Sequence, residues 1–207
     1  MKLWSMRGTC AVAVHIALEW SPLDYEVEIL KRGAQRSVEY LSVNPMGVVP
    51  AVTCDDGAVL TEATALLALI DAHSPGEFAP GQARLSEFRL QELLSFLNSE
   101  IHAAFGPHFA AARYHPDPDI QAELRQTAYQ KIDRLMSLLD SRIKGPFYFG
   151  AQRSVADPYI FVIARWLKDT PLKKRRFDNL ERLADAMNDD EKVRSVLTSY
   201  RETAPMR

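Results

Sequence analysis

The sequence predicts a small α/β domain in the order β-α-β-α-β-β-α, followed by an all-helical domain. Three observations carry this expectation. Short strand-like segments alternate with short apolar helices over residues 1–73. A turn-rich, non-periodic stretch rich in Pro and Gly follows at residues 74–81. Everything beyond it repeats with helical period. The boundaries expected are residues 1–75 for the first domain, 76–83 for a linker and 84–207 for the helical domain.

The elements follow in order. Residues 2–5 read as a short strand, and Gly8-Thr9 opens a helix over residues 10–20 that is apolar on most sides and therefore buried. Tyr25, Val27 and Ile29 alternate with Glu26 and Glu28, the period-two signature of a half-buried strand. A short helix is expected over residues 37–42. Residues 49–54 and 58–60, joined by Asp55-Asp56-Gly57, read as a hairpin. Thr61 is placed to cap a helix over residues 62–73, with Glu62 as a favourable acid in its first turn. Long helices are expected over residues 85–113 and 120–143, separated by Tyr114-His115-Pro116-Asp117-Pro118, and shorter ones over 155–167, 180–187 and 192–200.

Composition bounds the function. The chain has 207 residues, 47% of them apolar and 25% charged, which fits a globular protein with a sizeable core and excludes a disordered or fibrous chain. A net charge of -2 offers no reason to expect nucleic acid or an anionic membrane as partner. The charge is unevenly divided. Residues 1–80 carry 5 basic and 10 acidic side chains, and the rest carries 20 and 17. No apolar run reaches the ~18 residues of a membrane span, and the apolar run near the start is broken by His15 and Glu19. Two cysteines, Cys10 and Cys54, form no disulfide framework and no metal-ligand spacing, so a cytoplasmic protein without a bound metal is expected.

Several residues could carry chemistry. Cys10 lies where a strand hands over to a helix, where unpaired N–H groups and the helix dipole favour a thiolate; as a structural residue it would be a small buried hydrophobe. Cys54, within a strand, reads as core. Val49-Pro50 stands at the mouth of the hairpin, where a cis bond would turn the Val49 backbone outward toward an extended ligand. Glu62 is either a dipole acid or a ligand for an ammonium group. Ser95, Ser99 and His102 form one polar stripe at helical spacing, more often a solvated face than a site. His15 reads as a satisfied core histidine. Lys173-Lys174-Arg175-Arg176 reads as a solvated loop, and Ser154-x-x-Asp157 as a capping box, in which the Ser hydroxyl accepts from the Asp157 N–H and the Asp157 carboxylate reaches back.

Taken together, Gly8-Thr9-Cys10, His15-Ile16-x-Leu18, Asn44-Pro45-x-Gly47-x-Val49-Pro50, Thr61-Glu62, Ser99-Glu100-Ile101-His102 and Ser154-Val155-Ala156-Asp157 resemble the cytosolic glutathione transferases, most closely the bacterial beta class. The resemblance covers the whole chain and implies a thioredoxin-like first domain. It also implies Cys10 as the active-site thiol with His102 facing it. Val49 before a cis Pro50, Glu62, Ala63 and Ser99 would bind glutathione, with Arg36 or Arg32 as the cation for the glycyl carboxylate. Trp166 would lie in the electrophile pocket. Where the family usually carries Ser or Gly after the glutamate, often a Lys after the His and an Asn on that helix, this chain has Ala63, Ala103 and Ser95. The activity implied is conjugation of the glutathione thiolate to a hydrophobic electrophile, with disulfide reductase or peroxidase activity alongside, in a homodimer. The alternative is a non-catalytic protein that keeps the fold for partner binding, as the stringent starvation protein group does.

Overall fold

The computed structural model describes residues 1–79 and 86–202. Residues 80–83 of the expected linker, and the start of the second domain at 84, lie outside the described residues.

Four strands, β1 (Lys2–Met6), β2 (Glu26–Leu30), β3 (Ala51–Thr53) and β4 (Val59–Thr61), form one sheet in the order β2-β1-β3-β4. β1 and β2 pair in parallel, with Lys2 opposite Glu26, and the other two pairs are antiparallel. The parallel pair needs a crossover, and α1 (Ala11–Trp20) supplies it. Of the ten residues of α1, only Glu19 is not buried, so this helix is the central rod of the molecule. α2 (Val38–Val43) and α3 (Ala63–Ala72) complete the α/β half. Ser37 caps α2 by accepting from the Tyr40 N–H. The first half is therefore β-α-β-α-β-β-α, the order expected.

The helical half comprises α4 (Ser86–Phe96), a π-helical turn (Leu97–His102), α5 (Gly106–Ala110), α6 (Pro118–Arg142), α7 (Asp157–Trp166), α8 (Asp178–Asp189) and α9 (Glu191–Glu202). One continuous core joins the halves: Leu3, Val14 and Ile16 pack into the same cluster as Tyr159, Ile160 and Val196. His15 sits inside it, 4% exposed, with Nδ1 hydrogen-bonded to the Tyr200 hydroxyl of α9 at 3.0 Å, the satisfied core histidine expected.

Four expectations need correction. The single helix over 85–113 is interrupted by the π turn and by Gly106-Pro107, which restarts the chain as α5. Thr61 does not cap α3; it belongs to β4, and Glu62 is the residue before the helix, with no side-chain cap. Cys54 packs against the core but is not enclosed by it, because β3 ends at Thr53 and leaves it half-buried at the hairpin turn, where its N–H donates to the Ala58 carbonyl. In the Ser154–Asp157 pair the hydroxyl donates rather than accepts. Ser154 Oγ reaches Asp157 Oδ2 at 2.7 Å, and the Ser154 N–H donates to the same oxygen at 2.6 Å. The carboxylate does reach back to the Ser154 N–H as expected, and only the hydroxyl half is reversed, because the Asp157 N–H is already taken by the Ser154 carbonyl. Ser154→Ala is expected to cost about 1–2 kcal/mol, one donor to a buried carboxylate. Urea titration checks it, and an unchanged midpoint would refute this account.

Candidate functional site

A cleft of about 480 Å³ opens between the C-terminal end of β1, the loop before β3 and the π turn of the helical half. Cys10, Val49, Pro50, Glu62, Ala63, His102 and Trp166 all line it, as do Arg32 and Arg36. Ser99 does not. Its side chain is exposed, and its hydroxyl donates back to the Ser95 carbonyl.

Local folding positions each group. The loop before β3 is held by Asn44, whose amide donates to the Val48 carbonyl at 2.8 Å and accepts from the Met46 N–H at 3.1 Å. The Tyr40 hydroxyl donates to that same carbonyl. Gly47 has φ +63, and a Cβ there would stand 3.1 Å from the Gln35 carbonyl oxygen, so the position requires glycine. The Val49-Pro50 bond is cis. No acceptor among the described residues pairs with the Val49 N–H.

Glu62 has φ +69, the left-handed region that a non-glycine residue enters at a cost of about 1–3 kcal/mol. The strained backbone sets its carboxylate on the cleft wall beside the free N–H groups that begin α3.

Cys10 immediately precedes α1 and is 8% exposed. Its thiol donates to the Val49 carbonyl, with Sγ 3.8 Å from the oxygen. The expectation of a lowered thiol pKa is overturned. Burial pushes it up to about 12, with Glu62 adding to the rise, and the backbone N–H groups of Cys10 and Ala11 only partly oppose them. The helix terminus does favour the thiolate, but exclusion of water from the thiol outweighs it. Cys10 is therefore a neutral thiol near pH 7. Iodoacetamide at that pH is expected to alkylate Cys54 before Cys10, as read by peptide mass spectrometry. Faster modification at Cys10 would contradict its burial.

His102 is held by α7. Its Nδ1 lies 2.6 Å from the Tyr159 hydroxyl, which in turn donates to Asn98 Oδ1 at 3.0 Å. The single phenol proton is spent on Asn98, so Nδ1 is the donor and Nε2 remains an acceptor. Burial lowers the His102 pKa and keeps the ring neutral. The Tyr159 phenol is pushed up chiefly by burial, with the Glu62 charge adding to the rise, so it stays protonated. The ring of Trp166 lies 4.8 Å from His102 and 5.1 Å from Phe109, and its indole N–H donates to the Gly8 carbonyl.

Asn98, Tyr159, Phe109, Arg7 and Arg113 were not singled out from the sequence. Asn98 stands four residues before His102, a spacing that could have drawn attention to it. Ser95 is exposed, and Asn98 is the amide on the cleft. The π turn explains the miss, because it takes an extra residue into one turn and breaks the phase that the Ser95–Ser99–His102 stripe assumed.

A thioredoxin-type sheet followed by helices, with a cysteine at the start of α1 and a proline before β3, defines the glutathione-transferase class of fold. Residues 8–73 match the family description "Glutathione S-transferase, N-terminal domain". The chain is 30% identical to Glutathione S-transferase GST-4.5 of Xanthomonas campestris, over 95% of this chain and 97% of that one. Its fold matches a glutathione-S-transferase from Xylella fastidiosa with a TM-score of 0.88 and 30% identity, covering 97% and 98% of the two chains. A sphingomonad glutathione S-transferase complexed with glutathione matches with a TM-score of 0.83 and 31% identity, over 99% and 100%. The chain belongs to the glutathione S-transferase family.

Proposed function

We propose that the protein is a glutathione transferase that binds glutathione in this cleft and transfers its thiolate to an electrophile. The observation that carries the reading is the convergence of Cys10, Val49, Glu62 and His102 on one cleft. Each group matches a part of the tripeptide. The Val49 N–H, without a protein acceptor, suits the peptide carbonyl of the cysteinyl residue. The Glu62 carboxylate suits the γ-glutamyl ammonium, and the free N–H groups at the start of α3 suit the neighbouring carboxylate. Arg32 or Arg36, on the loop after β2, suits the glycyl carboxylate.

The glutathione sulfur would then lie at the start of α1. There the Cys10 S–H, turned from the Val49 carbonyl, donates a weak hydrogen bond to the thiolate, the helix dipole favours its charge, and His102 Nε2 accepts the proton. A neutral, buried Cys10 serves as a donor to the nucleophile rather than as the nucleophile itself. This ranks conjugation above thiol–disulfide exchange through Cys10, which needs Cys10 as a thiolate. The acceptor stacks on Phe109 and Trp166. A homodimer is part of the proposal. Exposed apolar side chains on the edge strand β4 (Val59, Leu60), on α4 (Phe88) and on α6 (Leu138) offer surface in both halves for a second copy to cover. No helix of the described residues is long and apolar enough to cross a membrane, and a cytoplasmic location fits the two free cysteines.

Glu62→Gln tests the reading. Loss of a charge-assisted contact to the ammonium is expected to weaken glutathione binding about 10- to 100-fold. Calorimetry on both proteins reads it, and equal affinities would reject the assignment. Failure of the native protein to be retained on immobilised glutathione would favour partner binding without catalysis.

A further inference from the structure

Five charged side chains line the cleft, namely Glu62 and the arginines Arg7, Arg32, Arg36 and Arg113. Glutathione near pH 7 brings one ammonium and two carboxylates. Glu62, the start of α3 and one arginine of the loop after β2 match those three charges; the second arginine of that loop stays beside the same carboxylate, and Arg7 and Arg113 remain. Both stand on the other side of the cleft. Arg7 precedes Gly8, whose carbonyl takes the Trp166 indole N–H, and Arg113 ends the short turn that follows α5 and Phe109. No carboxylate among the described residues pairs with either guanidinium. Arg7 also lies in a cationic neighbourhood. Burial first, then repulsion from Arg201 and Arg7, pulls the nearby Arg165 below the usual guanidinium range. The same cleft holds an apolar platform, with Phe109 52% exposed and its ring perpendicular to Trp166.

Two arginines without a protein carboxylate, in one cleft with an open aromatic face, are the recognition chemistry of a flat, negatively charged molecule. We infer that the acceptor is an aryl or conjugated electrophile carrying a carboxylate, stacked on Phe109 and Trp166 and held by Arg7 and Arg113. This rests on the glutathione-transferase reading above and narrows it from hydrophobic electrophiles in general to anionic ones.

A chloronitrobenzoate makes the step explicit. The glutathione thiolate adds its electron pair to the chlorine-bearing carbon, and the ring with its nitro group holds the added charge. Chloride then leaves with the carbon–chlorine pair, forming the thioether. The thiol proton passes through His102 to solvent, so glutathione and the aryl chloride yield the aryl thioether, chloride and a proton.

The test compares 4-chloro-3-nitrobenzoate with its methyl ester at saturating glutathione, each kcat/KM divided by the uncatalysed rate of the same acceptor. The native protein is expected to favour the acid about tenfold or more, and Arg7→Gln and Arg113→Gln are each expected to lower that ratio several-fold. Both side chains are exposed, so the variants are expected to fold, which thermal melting verifies. Calorimetry with glutathione on the same samples separates the two readings. Retained glutathione binding with no preference for the acid, or a preference unchanged in both variants, would overturn the role of the arginines and leave the transferase reading standing. Absence of glutathione binding by the native protein would overturn both.

Discussion

Asp157→Ala is expected to destabilise the protein by about 3–5 kcal/mol, the largest effect of any single substitution considered for this chain. The Asp157 carboxylate is fully buried. It accepts the Tyr148 N–H at 2.7 Å on one oxygen, and the Ser154 N–H and hydroxyl on the other. Alanine would leave three buried donors without a partner, each costing about 1–3 kcal/mol, partly offset by removing a charge from the interior. Asp157→Asn keeps one acceptor oxygen and is expected to cost less. The effect should spread to the cleft, because the same helix carries Tyr159 and Trp166, which anchor His102 and the loop at Gly8. Urea titrations of both variants give the comparison. An alanine variant within about 1 kcal/mol of the native protein would refute the network account.

The second large effect concerns pH and involves two groups of opposite sign. Burial lowers the His15 pKa to about 4, although Glu19 opposes it slightly. Its contribution to stability is therefore present above pH ~6.5 and lost as pH falls toward 4, about 3 kcal/mol in all. Burial raises the Asp157 pKa to about 6, against the pull of its three donors. The folded chain then holds that proton more tightly than the unfolded one. Its contribution is present below pH ~4 and lost as pH rises through 6, again about 3 kcal/mol. In the native protein the two slopes nearly cancel between pH 4 and 6.5. His15→Gln removes one of them, and its stability is expected to fall as pH rises across that window. Denaturant titrations at pH 4, 5 and 6 read the difference. Parallel profiles for variant and native protein would show that one of the two groups does not titrate as its burial requires.

The site was legible in the sequence where a residue's role depends on its immediate neighbours. Cys10 after Gly8-Thr9, Val49-Pro50 at a strand entry and Glu62 before an apolar helix each stand out locally, and the structure brings all three to one cleft. Ser99 misled because its place in the stripe assumed an unbroken α-helix, whereas the chain makes a π turn there. Arg113 was invisible for a related reason. By periodicity it is the last residue of one long helix, and only the restart at Gly106-Pro107 returns the chain to the cleft.

The sequence by itself determined the order of elements, the apolar α1 at the centre, the satisfied His15 and the division into an α/β half and a helical half. These follow from periodicity and turn chemistry, which act over a few residues and are written in consecutive positions. Only the tertiary structure decided the state of Cys10. Its helix-terminal position argues for a thiolate, but the walls that exclude water from it come from segments far along the chain, and desolvation outweighs the local dipole. The same holds for His102, whose tautomer is set by Tyr159 fifty-seven residues away. Long-range packing sets solvent access, and solvent access sets the charge of a buried group; neither is encoded at any one position.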